Sequence, residues 1–274
     1  SDQLLYRYYC IRGRFGEAAR VAHQLSKVSR TLRDRINWLV DSIRSENACG
    51  GGNSSGNDLH TLHEELDVAK IQLRIYDIIH SSSDLDSAAK KTSLARLDSS
   101  LLGLSELFND FARPLKLYEI QLIIFHSAGH NDPNRVKDCW KQILGGQTDI
   151  GVLESKITAL GAELYPSDWA FPVDFLCEQL ENINSRVNDI SDLNYRWVVA
   201  LMIRIGVSFE FLFELYENFV NKATSLDEKL GYVVPMTSLI EYWLDSVHGT
   251  LPPVSQRVSD VLQHYVQTFR ATGG

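Results

Sequence analysis

The sequence predicts an all-α protein, an irregular α-helical solenoid of about a dozen helices in antiparallel pairs. Three observations predict it. Apolar residues recur at spacings of three and four through every long segment, which places a stripe on one face of a helix. Pro residues stand near the starts of these segments and Gly residues near their ends, where a missing N–H and a left-handed backbone are tolerated. No Asn-Gly or Asp-Gly turn joins two alternating runs, so the signature of strand hairpins is missing.

The elements follow in order. Tyr6–Ile11, a turn at Gly13 and Phe15–Val28 form a helical hairpin, and Gly16, Ala18, Ala19 and Ala22 let its second helix pack closely. Thr31–Ser45 aligns Leu32, Ile36, Leu39, Val40 and Ile43. Ala48–Asn57 (ACGGGNSSGN) reads as a flexible Gly/Ser-rich linker. Asp58–Ile79 carries Leu59, Leu62, Leu66, Ala69, Leu73 and Tyr76 on one face, and Ser81–Lys91, rich in Ser, Asp and Ala, is a second weak zone. Leu115–Phe125 is apolar nearly all round and predicts a central helix, with Pro114 at its start and Gly129 past its end. Pro133–Leu144 aligns Val136, Cys139, Trp140 and Ile143, with Gly145 beyond it. Thr148–Leu164 aligns Ile150, Leu153, Ile157, Leu160 and Leu164, and Pro172–Val187 aligns Val173, Leu176, Cys177, Leu180, Ile183 and Val187. Tyr195–Ile205 predicts a second central helix, closed by Gly206. The tail repeats the pattern after Pro253 with Val254, Val258, Val261, Leu262, Tyr265 and Phe269. No fixed repeat length emerges, so a tetratricopeptide array is not supported. Residues 1–274 read as one continuous solenoid, and a compact helical domain is the structural alternative.

Composition narrows the function. The chain has 274 residues, 44% of them hydrophobic and 23% charged, the profile of a folded soluble protein. Its 27 Lys+Arg against 35 Asp+Glu leave a net charge of −8, which argues against general nucleic-acid binding. Charge divides along the chain: residues 1–56 hold nine Lys/Arg and five Asp/Glu, and the remainder is strongly acidic. The basic hairpins suit an acidic partner or anionic lipid, and equally an ordinary solvated face. The longest apolar run, Trp197–Ile203, is far short of the roughly 18 residues of a membrane helix. The opening SDQLLYRYYC lacks a signal peptide's layout and an initiator Met, so the chain reads as a fragment of a larger protein. Cys10, Cys49, Cys139 and Cys177 are far apart and read as free thiols in a reducing compartment.

Reactive constellations are weak. His60 and His63 are three apart on a helix, yet the HExxH order and a third ligand are missing, and a polar helix face explains them. His126 and His130 flank Gly129 and fit a helix C-terminus, where positive charge is favoured. No CxxC, GxGxxG, GxxxxGK[ST] or GxSxG occurs, so the expectation is no enzyme, no cofactor and no metal.

Binding surface is the more informative signal. On Ser208–Asn221, Phe209, Leu212, Phe213, Tyr216, Phe219 and Val220 make one face. Phe211 and Leu215 fall on a second, interleaved with Glu210, Glu214 and Glu217. Such a helix packs between neighbours or presents one face to a partner. Phe211 and Leu215, with Tyr232, Tyr242 and Trp243 just beyond, are the candidate partner-peptide groove, and core packing is the competing explanation for each.

Several stretches also carry a family resemblance. LLYRYYCIRGRFGEAARVA (Leu4–Ala22), LHTLHEELDVAKIQLRIYD (Leu59–Asp77) and the long LFNDFARPLKLYEIQLIIFHSAGHNDPNRVKDCWKQIL (Leu107–Leu144) are joined by FPVDFLCEQLE (Phe171–Glu181), the Ile205–Val207 turn and LFELYENF (Leu212–Phe219). In this order they resemble the C-terminal part of the large inner-ring scaffold nucleoporin, the 155/170-kilodalton class, of the nuclear pore complex. The Ala48–Asn57 linker and Ser81–Thr92 match nothing in it. The resemblance implies a non-enzymatic α-solenoid of the nuclear envelope that supports pore assembly and nucleocytoplasmic transport. It also implies partners: linker nucleoporins of the Gly-Leu-Phe-Gly-bearing and the small membrane-associated types, docked through linear motifs, and other inner-ring scaffolds. Contact between the basic first helices and the pore membrane is the alternative role.

Overall fold

The computed structural model describes residues 2–49, 56–83, 86–145, 149–187 and 193–246, with single residues at 263 and 267, and among the described residues the helix signals of the sequence become thirteen α-helices between Asp2 and Ser246. No β-strand occurs among the described residues. The chain divides into two compact units, residues 1–143 and 144–274.

In the first unit, α1 (Asp2–Ile11) turns at Gly13, whose φ of +67° needs glycine, into α2 (Phe15–Val28). Thr31 caps α3 (Leu32–Ala48) by accepting a hydrogen bond from the Asp34 N–H. Ala18, Ala19 and Ala22 are buried where α2 meets α3, and the approach is close enough for Ser42 Oγ to donate to the Ala19 carbonyl at 2.9 Å. Helix α4 (Gly56–Ser81) lays Leu62, Leu66 and Ala69 on Leu32, Leu39 and Ile43 of α3. Asp86 caps α5 (Ser87–Ser99), which takes in the second weak zone from Ser87 onward. A short α6 (Leu104–Glu106) runs into one turn of π-helix, 107–112, that buries Leu107 and Phe111. The predicted central helix starts later than its apolar run: α7 spans Tyr118–Ser127, while Leu115–Leu117 lie in a turn with Lys116 at φ +54°. All six residues from Ile120 to Phe125 are buried, as the all-round apolar pattern requires. Gly129, φ +62°, closes it, and α8 (Pro133–Leu144) begins at its proline.

Two polar side chains stitch this unit. Gln72 donates to the carbonyls of Leu97 and Ser100 and accepts from the Leu102 N–H, fixing the exit from α5 against α4. Arg35 is only 3% exposed, on the face of α3 that also buries Leu32 and Leu39. It donates to the carbonyls of Ser26 and Ser29, which end α2, and to that of Ser99, which ends α5.

The second unit starts with α9 (Ile150–Leu164), capped by Asp149, and α10 (Val173–Val187). A 3₁₀ turn, Leu193–Arg196, precedes α11 (Trp197–Ile205), so Tyr195 belongs to the turn and not to the central helix. Gly206 ends α11 at φ +103°. A Cβ on Gly161 of α9 would stand 2.9 Å from Ile205, so these two helices cross at a distance only glycine permits. Helices α12 (Phe209–Lys222) and α13 (Leu226–Ser246) form a hairpin. Helix α13 contains Pro235, whose missing N–H leaves the Gly231 carbonyl without its helical donor. The buried Tyr195 hydroxyl donates to that carbonyl instead, at 3.4 Å. A Cβ on Gly231 would stand 3.3 Å from the same hydroxyl.

The buried face of α10 departs from the predicted stripe. Val187 is 47% exposed and Ile183 half-buried, while Glu181 and Asn184 are buried beside Cys177 and Leu180. The tail helix predicted over 254–269, apart from residues 263 and 267, and most of the Ala48–Asn57 linker lie outside the described residues.

Candidate docking groove

A groove of about 500 Å³ opens within the second unit between α10, α12 and α13. Ser208 starts α12 by accepting from the Phe211 N–H, and this register turns Phe211 outward while Leu212, Phe213 and Tyr216 go into the core. Phe211 is 47% exposed, and Leu215, one turn on, forms an almost buried floor. Phe219 and Tyr232 complete the apolar lining, their ring centroids 5.1 Å apart across the α12–α13 hairpin.

The rim is acidic. Asp174 and Glu178 of α10, Glu214 of α12 and Glu228 of α13 face the groove and are exposed; Lys222 is the one cation in its lining among the described residues. Four carboxylates against one ammonium make a negative mouth over an apolar floor. Burial raises the Tyr232 phenol above its ordinary pKa, and Glu228, Glu178 and Glu181 raise it further.

Below the groove lies a hydrogen-bonded cluster. Glu181 Oε1 accepts from the Tyr216 hydroxyl at 2.5 Å, and Oε2 accepts from Asn184 Nδ2 at 3.1 Å. Asn184 is itself held, because Nδ2 also donates to the Tyr195 carbonyl and Oδ1 accepts from Trp197 Nε1. Burial pushes the Glu181 carboxyl up to about 7, with the bonds from Tyr216 and Asn184 opposing the rise. Burial also pushes up the Cys177 thiol, the Tyr216 phenol and, to about 12, the Tyr195 phenol.

Of the five residues expected to form the groove, Phe211, Leu215 and Tyr232 line it together. Trp243 does not: it continues the buried Met236 and Leu239 stripe of α13, is 4% exposed, and stacks on Phe209 at 5.8 Å. Tyr242 is exposed beside it and lines no part of the groove. Sequence reasoning missed the α10 wall, although Asp174, Glu178 and Glu181 are spaced four and three apart and so share one helix face.

The other candidates resolve simply. His60 is exposed and faces Glu64 at 3.5 Å, and no group of three metal-binding side chains occurs among the described residues. His126 ends α7, and the His130 ring packs on Phe125 at 5.6 Å. All four cysteines are free thiols. Among the described residues no helix is long and apolar enough to cross a membrane. Part of the basic excess of residues 1–56 is neutralised from outside that segment, since Arg33 pairs with Asp77.

Comparisons with known proteins agree over the whole chain. Residues 1–272 match the family described as the non-repetitive/WGA-negative nucleoporin C-terminal region. Nucleoporin NUP170 of Saccharomyces cerevisiae is 26% identical over 267 residues, covering 89% of this chain and 17% of that protein. Nuclear pore complex protein Nup154 of Drosophila melanogaster is 26% identical over 232 residues, 80% of this chain and 17% of that protein. The chain therefore spans less than a fifth of either relative. In fold it superposes with a TM-score of 0.85 on the C-terminal domain of Chaetomium thermophilum Nup170, solved in complex with Nup145N. That match is at 21% identity and covers 100% of this chain and 59% of that one.

Proposed function

The chain belongs to the non-repetitive nucleoporin C-terminal family, and from that premise we propose that it is a non-enzymatic scaffold module of the nuclear pore's inner ring that docks a linear segment of another nucleoporin. The observation that carries the docking role is the groove on the second unit, where a half-exposed phenylalanine overhangs an apolar floor inside an acidic rim. This geometry suits an extended or helical segment with one bulky apolar anchor and flanking Lys or Arg. A few buried anchors dominate such interfaces, and ordering the segment lowers the net affinity, so several weak docks act together through multivalency. The complex of the related Chaetomium Nup170 domain with Nup145N supports a linker nucleoporin as the partner class. The role places the protein in the nuclear pore complex at the nuclear envelope.

Calorimetry of the chain with overlapping peptides from partner nucleoporins tests this reading. One peptide binds, Phe211→Ala weakens it about tenfold, and Glu214→Lys with Glu228→Lys removes the preference for basic flanks. Binding unchanged in both variants moves the site off this groove, and failure of every peptide overturns the docking role.

A further inference from the structure

Glu181 lies beneath the groove and is 3% exposed. Hydrogen bonds from Tyr216 and Asn184 are its support, and among the described residues no cation pairs with it. The groups that interact with it are neutral: Tyr216 of α12, Tyr195 of the 3₁₀ turn, Tyr232 of α13, and Cys177 and Asn184 of its own helix. The charged groups lie above it in the groove lining, four carboxylates and Lys222 of α12. Glu178, one turn before it, belongs to the groove rim, and so do Asp174 and Glu228.

The heavy-atom contacts suit both protonation states, with the Tyr216 hydroxyl hydrogen changing direction between them. Asn184 is fixed from the other side by Tyr195 and Trp197, so Glu181 Oε2 is always an acceptor. The contact between Oε1 and the Tyr216 oxygen runs either way: the phenol donates to a carboxylate, or a carboxylic acid donates to the phenol oxygen.

We propose that Glu181 is a proton-linked switch under the groove, and that docking of a basic segment draws the proton off it. The inference rests on the docking role above. A segment that places Lys or Arg in this acidic rim, against Glu178 above all, brings a positive charge to within about a helical turn of Glu181 along α10 and favours its ionised form. Linkage is reciprocal, so ionised Glu181 in turn favours the basic segment. Affinity therefore rises with pH across neutrality, the reverse of a site that must first gain a proton.

The ligand-free sign follows from the same group. Its folded value is near 7, above the ordinary carboxylate value of 4.5. The folded state then holds a proton that the unfolded chain has released. Its contribution to stability is complete below about 4.5 and declines as pH climbs through about 7.

The test uses the full 274-residue chain and a short synthetic peptide with a single Leu between Arg and Lys residues. Its binding is measured calorimetrically at about pH 6 and about pH 8, in buffers of different ionisation enthalpy, which reports the protons released. The expected result is affinity on the order of tenfold higher at the upper pH, with a fraction of a proton released per peptide. Glu181→Gln reproduces the protonated hydrogen bonds, with Oε1 accepting from Asn184 and Nε2 donating to Tyr216, so it folds. It loses its share of both the pH slope and the proton release. If the peptide binds and Glu181→Gln changes neither, the switch is overturned while docking stands. If the peptide binds at no pH, docking falls and takes the coupling with it. A ¹³C titration of the ligand-free Glu181 carboxyl then decides whether its ionisation assignment survives: a midpoint near 7 keeps it, and one near the ordinary 4.5 overturns it too.

Discussion

Among the described residues each unit buries one ionisable side chain of the Asp, Glu, Lys and Arg types, a base in the first and an acid in the second. Arg35 in the first unit donates through Nε and Nη2 to three backbone carbonyls at the ends of α2 and α5, while its buried Nη1 has no hydrogen-bond partner among the described residues. Burial lowers its pKa and Asp98 partly restores it, but a guanidinium stays protonated throughout the physiological range. Glu181 in the second unit is satisfied by two side chains and titrates near 7. The first arrangement is a permanent fastener between segments. The second is a fastener whose charge depends on its surroundings, and it lies beneath the groove. The difference teaches that burial and hydrogen bonding alone do not make a charge structural; the chemistry of the charged group decides whether it also responds.

The largest break of this comparison is Arg35→Met. It keeps the stem's packing but orphans three carbonyls, and urea denaturation should show a loss of about 3–5 kcal/mol. That loss should be the same at about pH 6 and about pH 8, whereas the Glu181→Gln difference changes between them.

A second comparison concerns close packing. In the first unit α2 meets α3 through three alanines, while in the second α9 passes α11 at Gly161 with no room for a methyl. Gly161→Ala forces Ile205 to move and should cost about 2 kcal/mol by thermal denaturation, despite alanine's better helix propensity.

The smallest effect sharpens the view of the second unit's polar wiring. Tyr195→Phe removes the hydroxyl that serves the Gly231 carbonyl and should cost about 1 kcal/mol. Pro235→Ala supplies a backbone donor to that carbonyl, so the Tyr195→Phe penalty should shrink in that background. A double-mutant cycle measures the coupling.

Much of the architecture was legible because helical periodicity is strong here. The ranges of α2, α8, α10 and α11 fall within a residue or two of their apolar stripes. Buried polar residues were not legible, for a common reason. On α3 the apolar pattern runs through Ile36 and Val40, yet these are half-buried while Arg35, Ser42 and Ser45 are buried. On α10 it runs through Ile183 and Val187 and skips Glu181 and Asn184. Arg35, Ser42, Glu181 and Asn184 each have a partner on another element, outside any local window, whereas Ser45 bonds the Asp41 carbonyl of its own helix. The groove was half legible for a related reason. Phe211 and Trp243 both read as aromatic residues on amphipathic helices, and only the packing of α13 on α12 shows that Trp243 is core.

The sequence also gave no sign that α13 continues through Pro235, because the compensating hydroxyl lies forty residues earlier. That arrangement has a consequence for the protein's descent. A glycine at 231, a proline at 235 and a phenolic hydroxyl at 195 each make sense only in the company of the others. Losing the hydroxyl first strands a carbonyl, and adding bulk at 231 first crowds the ring. Replacing the proline first is the mildest step, since the helix then closes its own bond and releases the other two positions to drift. In diverging lineages the order of substitution is thereby constrained, and the proline is the position at which the set should come undone.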